Sequence, residues 1–169
     1  MNTVEGLKVK LENHWVVECF DKNGKLKWRD EFDNLVMTGG KNDVLDKYFK
    51  GSAYTAAWYV GLTGATPTFA AGDTMASHAG WTENSADYSQ ATRPALTLGT
   101  PSAGSVDNSA SKAVFSITGT ASIGGAFIVT VSTKGGSTGT LYGGAAFAEG
   151  NRSVVNGDTL NVTVTLTVS

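Results

Sequence analysis

The sequence predicts a mainly β protein, an antiparallel β-sandwich or jelly-roll-like barrel with an N-terminal β-hairpin and one short helix. Three observations predict it. Near the C-terminus Leu160, Val162, Val164, Leu166 and Val168 alternate strictly with Asn161, Thr163, Thr165 and Thr167, the period of a half-buried strand. Gly is abundant, at 21 residues, and Pro scarce, at 3, which suits tight turns between strands and not a Pro-rich linker. After residue 100, β-prone runs separated by Gly-containing turns recur at roughly 10–15-residue spacing, the rhythm of a sandwich or barrel.

Residues 7–20 read as the first strand, with Trp15, Val17 and Cys19 on one parity. The Asn23-Gly24 pair in the following turn is a strong hairpin signal. Residues 26–32 return, with Leu26, Trp28 and Asp30 on one face and the charged side chains opposite. Gly39 and Gly40 let the chain turn into a helix over residues 41–50, where Val44, Leu45, Tyr48 and Phe49 recur at helical spacing and Gly51 supplies the stop. Residues 54–63 form the next strand candidate, and Trp58 and Tyr59, being adjacent, must face opposite sides.

Residues 66–90 are irregular, with one short helical turn expected at 75–79 capped by Asp73. A short strand is expected around 95–98, after Pro94. Further strands are expected at 114–118, 125–132, 140–148 and 158–168. Gly135-Gly136-Ser137-Thr138-Gly139 reads as a flexible hairpin tip, and Asn156-Gly157-Asp158 as the turn before the last strand. The chain contains no internal repeat.

Charge divides the chain. Residues 1–51 hold 9 of the 13 basic and 9 of the 15 acidic side chains. This suggests a charged hairpin plus helix over 1–51, either an arm or a part of the same domain, and a sandwich or barrel domain over 52–169. A surface rich in Thr, Ser, Gly and Ala but poor in charge suits faces that meet other subunits. The net charge of −2 offers nothing to draw the protein to nucleic acid or an anionic membrane. A single cysteine, Cys19, precludes an intrachain disulfide and reads as a small buried hydrophobe, consistent with a reducing cytoplasm. No run of about 20 apolar residues predicts a membrane span. Residues 1–10 lack an apolar signal core, so classical secretion is not expected.

Catalytic chemistry has few candidates. Of the two histidines, His14 lies in the charged first strand and reads as a surface residue. His78 stands near Ser77 and Asp73, but adjacency in sequence is not triad geometry, and no Gly-x-Ser-x-Gly elbow is present. Glu83 and Asp87 would serve as a carboxylate pair for glycoside cleavage only across a cleft. With Asp73 they offer oxygen ligands, but in no calcium-loop spacing, and zinc-type Cys and His spacing is missing. Thr38-Gly39-Gly40-Lys41 is only a fragment of a phosphate-binding loop. No enzyme activity, metal or cofactor is expected. The aromatics singled out for an interface are Trp15, Trp28, Tyr59 and Trp81, Trp81 being either a core plug or a binding anchor.

Several stretches together resemble tailed-bacteriophage virion proteins. They are Asn34-Leu35-Val36-Met37-Thr38-Gly39-Gly40, Trp58-Tyr59-Val60-Gly61-Leu62, the segment 71–83 around Trp81, and Tyr88-Ser89-Gln90-Ala91-Thr92-Arg93-Pro94. Ser132-Thr133-Lys134-Gly135-Gly136 and Asn156-Gly157-Asp158-Thr159-Leu160 extend the likeness over nearly the whole chain. The group it resembles is that of small head decoration, or cement, proteins. The resemblance implies a non-catalytic dimer or trimer on the outer surface of the phage head, assembled in the host cytoplasm. Its partners would be the major capsid protein and itself, with no nucleic acid or membrane. Residues 1–51 would grip the capsid or a neighbour. A tail- or fibre-associated protein contacting the host surface is the alternative, to be recognised by an exposed aromatic patch or a sugar-binding groove.

Overall fold

The structure, a computed structural model, describes residues 9–169. The start of the first strand expected at residue 7, and most of the polar N-terminal segment, lie outside the described residues. The chain folds as a mainly β antiparallel sandwich with an N-terminal hairpin and one short helix.

The hairpin joins β1 (Leu11–Phe20) to β2 (Leu26–Asp33). Its turn is built as expected: Gly24 takes φ +79°, and Asp21 Oδ1 accepts the N–H groups of Asn23 and Lys25 at 2.8 and 2.9 Å. β1 then pairs antiparallel along its whole length with the last strand, β12 (Thr159–Val168). Trp15, Val17 and Cys19 stand opposite Val164, Val162 and Leu160, so the two alternating patterns bury a common face. The hairpin of β1 and β2 therefore shares one sheet with the last strand. On β2 the inward row is Trp28, Asp30 and Phe32, while Leu26 is exposed, because the register shifts between Cys19 and Phe20.

On its other edge β12 meets two short strands in tandem, β6 (Ser105–Asp107) and β7 (Ala113–Ser116). Between them the buried Asn108 side chain stands in for a strand. Its Nδ2 donates to Val162 O at 3.1 Å and its Oδ1 accepts from Val164 N at 2.7 Å.

The second sheet runs β3 (Leu35–Val36), β10 (Leu141–Ala146), β9 (Gly125–Val129), β4 (Tyr59–Thr63), β5 (Glu83–Asn84). A separate pair joins β8 (Ala121–Ile123) to β11 (Arg152–Val154). Val60, Leu62, Ala126, Ile128 and Tyr142 face the first sheet and complete the main core. The opposite face is also covered. Met75, Trp81 and Phe69 from the 64–82 segment pack with Met37, Phe127, Val129 and Leu141 into a second, smaller core. This is why β9 is buried at every position instead of alternating. Two strand glycines make room for the rings of that layer: a Cβ on Gly61 would lie 2.2 Å from the Phe127 ring, and one on Gly144 2.4 Å from Phe69.

The expected strand at 95–98 is reduced to a bridge between Ala95 and Tyr59. The helical turn expected at 75–79 is instead a tight turn closed by Thr74 and Ser77, and Asp73 is not its cap. The helix begins earlier than its periodicity suggests: α1 (Thr38–Val44) runs directly into a π-helical turn, Leu45–Phe49. Gly40 lets the helix dock on β10, since a Cβ there would lie 2.5 Å from Tyr142 O.

Candidate association surface

Most of the polar groups that looked available for chemistry are used to hold loops. Arg93 is 1% exposed. Its Nε and Nη2 bind the two carboxylate oxygens of Glu83 at 2.8 and 2.7 Å, and its remaining donors reach Val131 O and Gly136 O at 2.7 and 3.1 Å. Glu83 also accepts the Gly135 N–H at 2.9 Å, so the glycine-rich tip between β9 and β10 is tied down where flexibility was expected. Asp87 accepts from Asn84 Nδ2 at 2.8 Å. Glu83 is thus committed to a buried cation and does not face Asp87 across an open cleft.

The Asp73, Ser77 and His78 group is likewise dispersed. Asp73 accepts the Trp81 indole N–H at 2.9 Å and the Ala70 N–H at 3.0 Å. His78 stacks on Trp81 at 3.8 Å between centroids and pairs its Nδ1 with Trp81 O at 3.0 Å. Both side chains therefore fix the indole and not a nucleophile. His14 is exposed and bonds Asp33 at 3.0 Å. Cys19 is fully buried. Burial, together with the neighbouring Asp158 carboxylate, pushes its thiol up to about 12, which makes it unreactive at neutral pH. Among the described residues no three His, Cys, Asp or Glu side chains group as metal ligands, and no helix is long and apolar enough to cross a membrane.

The aromatic residues singled out for an interface do not form one face. Trp15 is fully buried and stacks on Phe32, and Trp81 is 5% exposed within the second core, so neither ring is open to a partner. The reason is parity: Trp15 lies on the inward row of β1 (Leu11–Phe20), and the loop around Trp81 exists to cover the second sheet. Trp28 is half-buried, with its indole N–H on Ser153 O at 3.2 Å and Arg152 over its ring. Tyr59 is half-buried against the second core.

The apolar surface lies elsewhere. Leu45, Tyr48, Phe49 and Tyr54 are 57%, 79%, 74% and 49% exposed. Tyr48 and Phe49 pack edge to face at 5.0 Å, Tyr54 accepts the Trp58 indole N–H at 2.7 Å, and Tyr48 and Tyr54 line one cavity. Beside them opens an apolar cavity of about 250 Å³, whose walls include Val44, Tyr48, Trp58, Leu96 and Tyr142, with Asp43 and Lys47 among its polar lining. Leu45, Tyr48 and Phe49 were legible, with Val44, as an apolar helical stripe, but such stripes are ordinarily buried, and here only Val44 of the four packs against the core.

A second, polar cleft of about 460 Å³ lies at the start of β1, lined by Lys10, Glu12, Asn13, Asp33, Asn34 and Lys41. Neither the buried Asn13 carboxamide nor that of Asn34 has a hydrogen-bond partner among the described residues.

No protein-family model matches the chain, and no curated protein matches it.

Proposed function

We propose that this protein is a structural component of a tailed-phage particle, a decoration protein that binds the outside of the head and bridges capsid subunits. The observation that carries the reading is the exposed apolar side chains of Leu45, Tyr48, Phe49 and Tyr54. Exposed contiguous apolar area on a folded domain marks a surface for other macromolecules. Aromatics on such a surface are the side chains that dominate protein interfaces. The resemblance to virion proteins supplies the setting. Repetition over a shell then multiplies modest contacts into firm attachment.

Two rings packed at 79° to each other make a poor flat platform for a sugar, which favours a protein partner over a glycan at this face. The second reading, a tail- or fibre-associated protein that contacts the host surface, is favoured by the exposed aromatic side chains Tyr48, Phe49 and Tyr54, the feature expected of it.

The test mixes purified protein with empty expanded capsids and, separately, with host cells. Sedimentation with capsids, lowered about tenfold or more by Tyr48→Ser with Phe49→Ser, is the expected result. Binding to cells alone would transfer the assignment to the second reading, and binding to neither would end both.

A further inference from the structure

We infer that the apolar cavity beside α1 is a binding site for a small quaternary ammonium cation, a choline-type group seated among four aromatic rings and the Asp43 carboxylate. The site is the interior of the cavity and not the exposed rings proposed for the capsid, although Tyr48 and Tyr54 border both. It stands whether or not a capsid is the wider partner.

The walls are the first observation. Tyr48, Tyr54, Trp58 and Tyr142 all line the cavity, so four π-systems from three separate parts of the chain border one space of about 250 Å³. Trp58 and Tyr142 meet edge to face at 5.5 Å, and the Trp58 indole N–H is already taken by the Tyr54 hydroxyl at 2.7 Å. That bond holds two of the rings in place and leaves the indole no donor for a ligand. Rings set at angles around one space attract a cation through their quadrupoles. Such walls also accept a neutral hydrocarbon, and charge decides between the two.

Two charged side chains line the cavity, Asp43 and Lys47. They stand about one helical turn apart, yet the Lys47 ammonium pairs with Asp46 at 3.3 Å, as Lys50 does at 3.2 Å. Asp43 is half-buried and has no ionic partner among the described residues. A carboxylate partly withdrawn from water at the border of an aromatic cavity is stabilised by a cation placed inside it.

The lining also selects the kind of cation. A primary ammonium or a guanidinium needs several acceptors once it leaves water. The cavity offers one carboxylate and a few phenol oxygens, of which that of Tyr54 is already accepting. A quaternary ammonium has no N–H to satisfy, and its methyl groups suit apolar walls, so it loses least on entering. An engineered cavity of about 150 Å³ holds benzene, which leaves room here for a trimethylammonium head with a short tail.

The experiment is isothermal titration calorimetry of the full chain with choline chloride, with circular dichroism to establish that each variant is folded. Saturable binding with a Kd of about 1 mM or tighter is expected. Neohexyl alcohol, the same shape with carbon in place of nitrogen, should bind at least about tenfold more weakly. Asp43→Asn and Tyr54→Leu should each weaken choline about fivefold. Choline should also move the NMR resonance of the Trp58 indole N–H, identified by its loss in Trp58→Phe. No binding, equal affinity for the alcohol, indifference to either variant, or binding that leaves the Trp58 resonance unmoved overturns the inference. Phosphatidylcholine vesicles, run alongside, separate two sources of the group. Retention that free choline displaces assigns a lipid head group, and no retention assigns a free cation. Capsid sedimentation is read separately, so choline binding by a protein that ignores capsids, or the reverse, decides the two readings apart.

Discussion

Arg93 joins three parts of the chain that lie far apart in sequence. Its guanidinium meets Glu83, Val131 O and Gly136 O, and it lies 5.4 Å from the centre of the Phe127 ring. At 1% exposure the cation has lost its hydration, and only this set of acceptors compensates. Arg93→Met leaves the Glu83 carboxylate without its cation. A loss of about 3–5 kcal/mol in denaturant unfolding is expected. Adding Glu83→Gln should recover part of that loss, because it removes the stranded charge. The pair was not legible beforehand. Glu83 lies in an irregular stretch with no period to place it and read as a loop carboxylate, and nothing in the sequence paired Arg93 with it. Trp15 and Trp81 illustrate the converse. Residue type suggests a binding anchor, while burial decides that both rings stabilise the fold.

At the level of elements, β12 (Thr159–Val168) organises the first sheet. Its alternating sequence requires one buried face, and β1 supplies a matching row with no gap in register. Its far edge is served by β6 and β7, which leave the backbone at Val162 and Val164 to the Asn108 side chain. Asn108→Ala strips partners from two buried backbone groups at once. Thermal or denaturant unfolding should show a loss of roughly 2–4 kcal/mol. Asn108→Asp should cost a comparable amount, since it keeps the acceptor but loses the donor and buries a charge. Short strands such as β3, β5 and β11 were not legible, because two or three residues carry no detectable alternation. The helix was legible as an element, but its exposed side was not. Gly40 and Val44 turn the helix onto β10 and the core, and that docking leaves Leu45, Tyr48 and Phe49 facing outward.

Across the whole molecule the two ends of the described chain are neighbours. Lys10 and Ser169 exchange backbone hydrogen bonds at 2.6 and 3.0 Å, and β1 lies against β12 from Leu11 to Phe20. A division at residue 51 therefore cuts the first sheet in half. A 52–169 fragment exposes Leu160, Val162 and Val164 along an open strand edge and lacks the Trp15–Phe32 stack. It should lack cooperative unfolding and bind a hydrophobic dye, whereas the full chain unfolds in one transition. The face around Phe49 stands on a helix docked on β10 of the second sheet.

By itself the sequence determined the β class, the N-terminal hairpin with its Asn-Gly turn, the inward row of β1 and the alternating last strand. Each of these follows from local rules: period-two patterning, glycine at positive φ, and the pairing of complementary rows. Only the tertiary structure decided that the N-terminal hairpin joins the last strand in the first sheet, that the 64–82 segment covers the second, and that Glu83 neutralises Arg93. It also decided that Tyr48 and Phe49 face outward while Trp15 and Trp81 do not. The physical reason is that burial is a property of what lies opposite a side chain, and what lies opposite is fixed by contacts between residues distant in sequence.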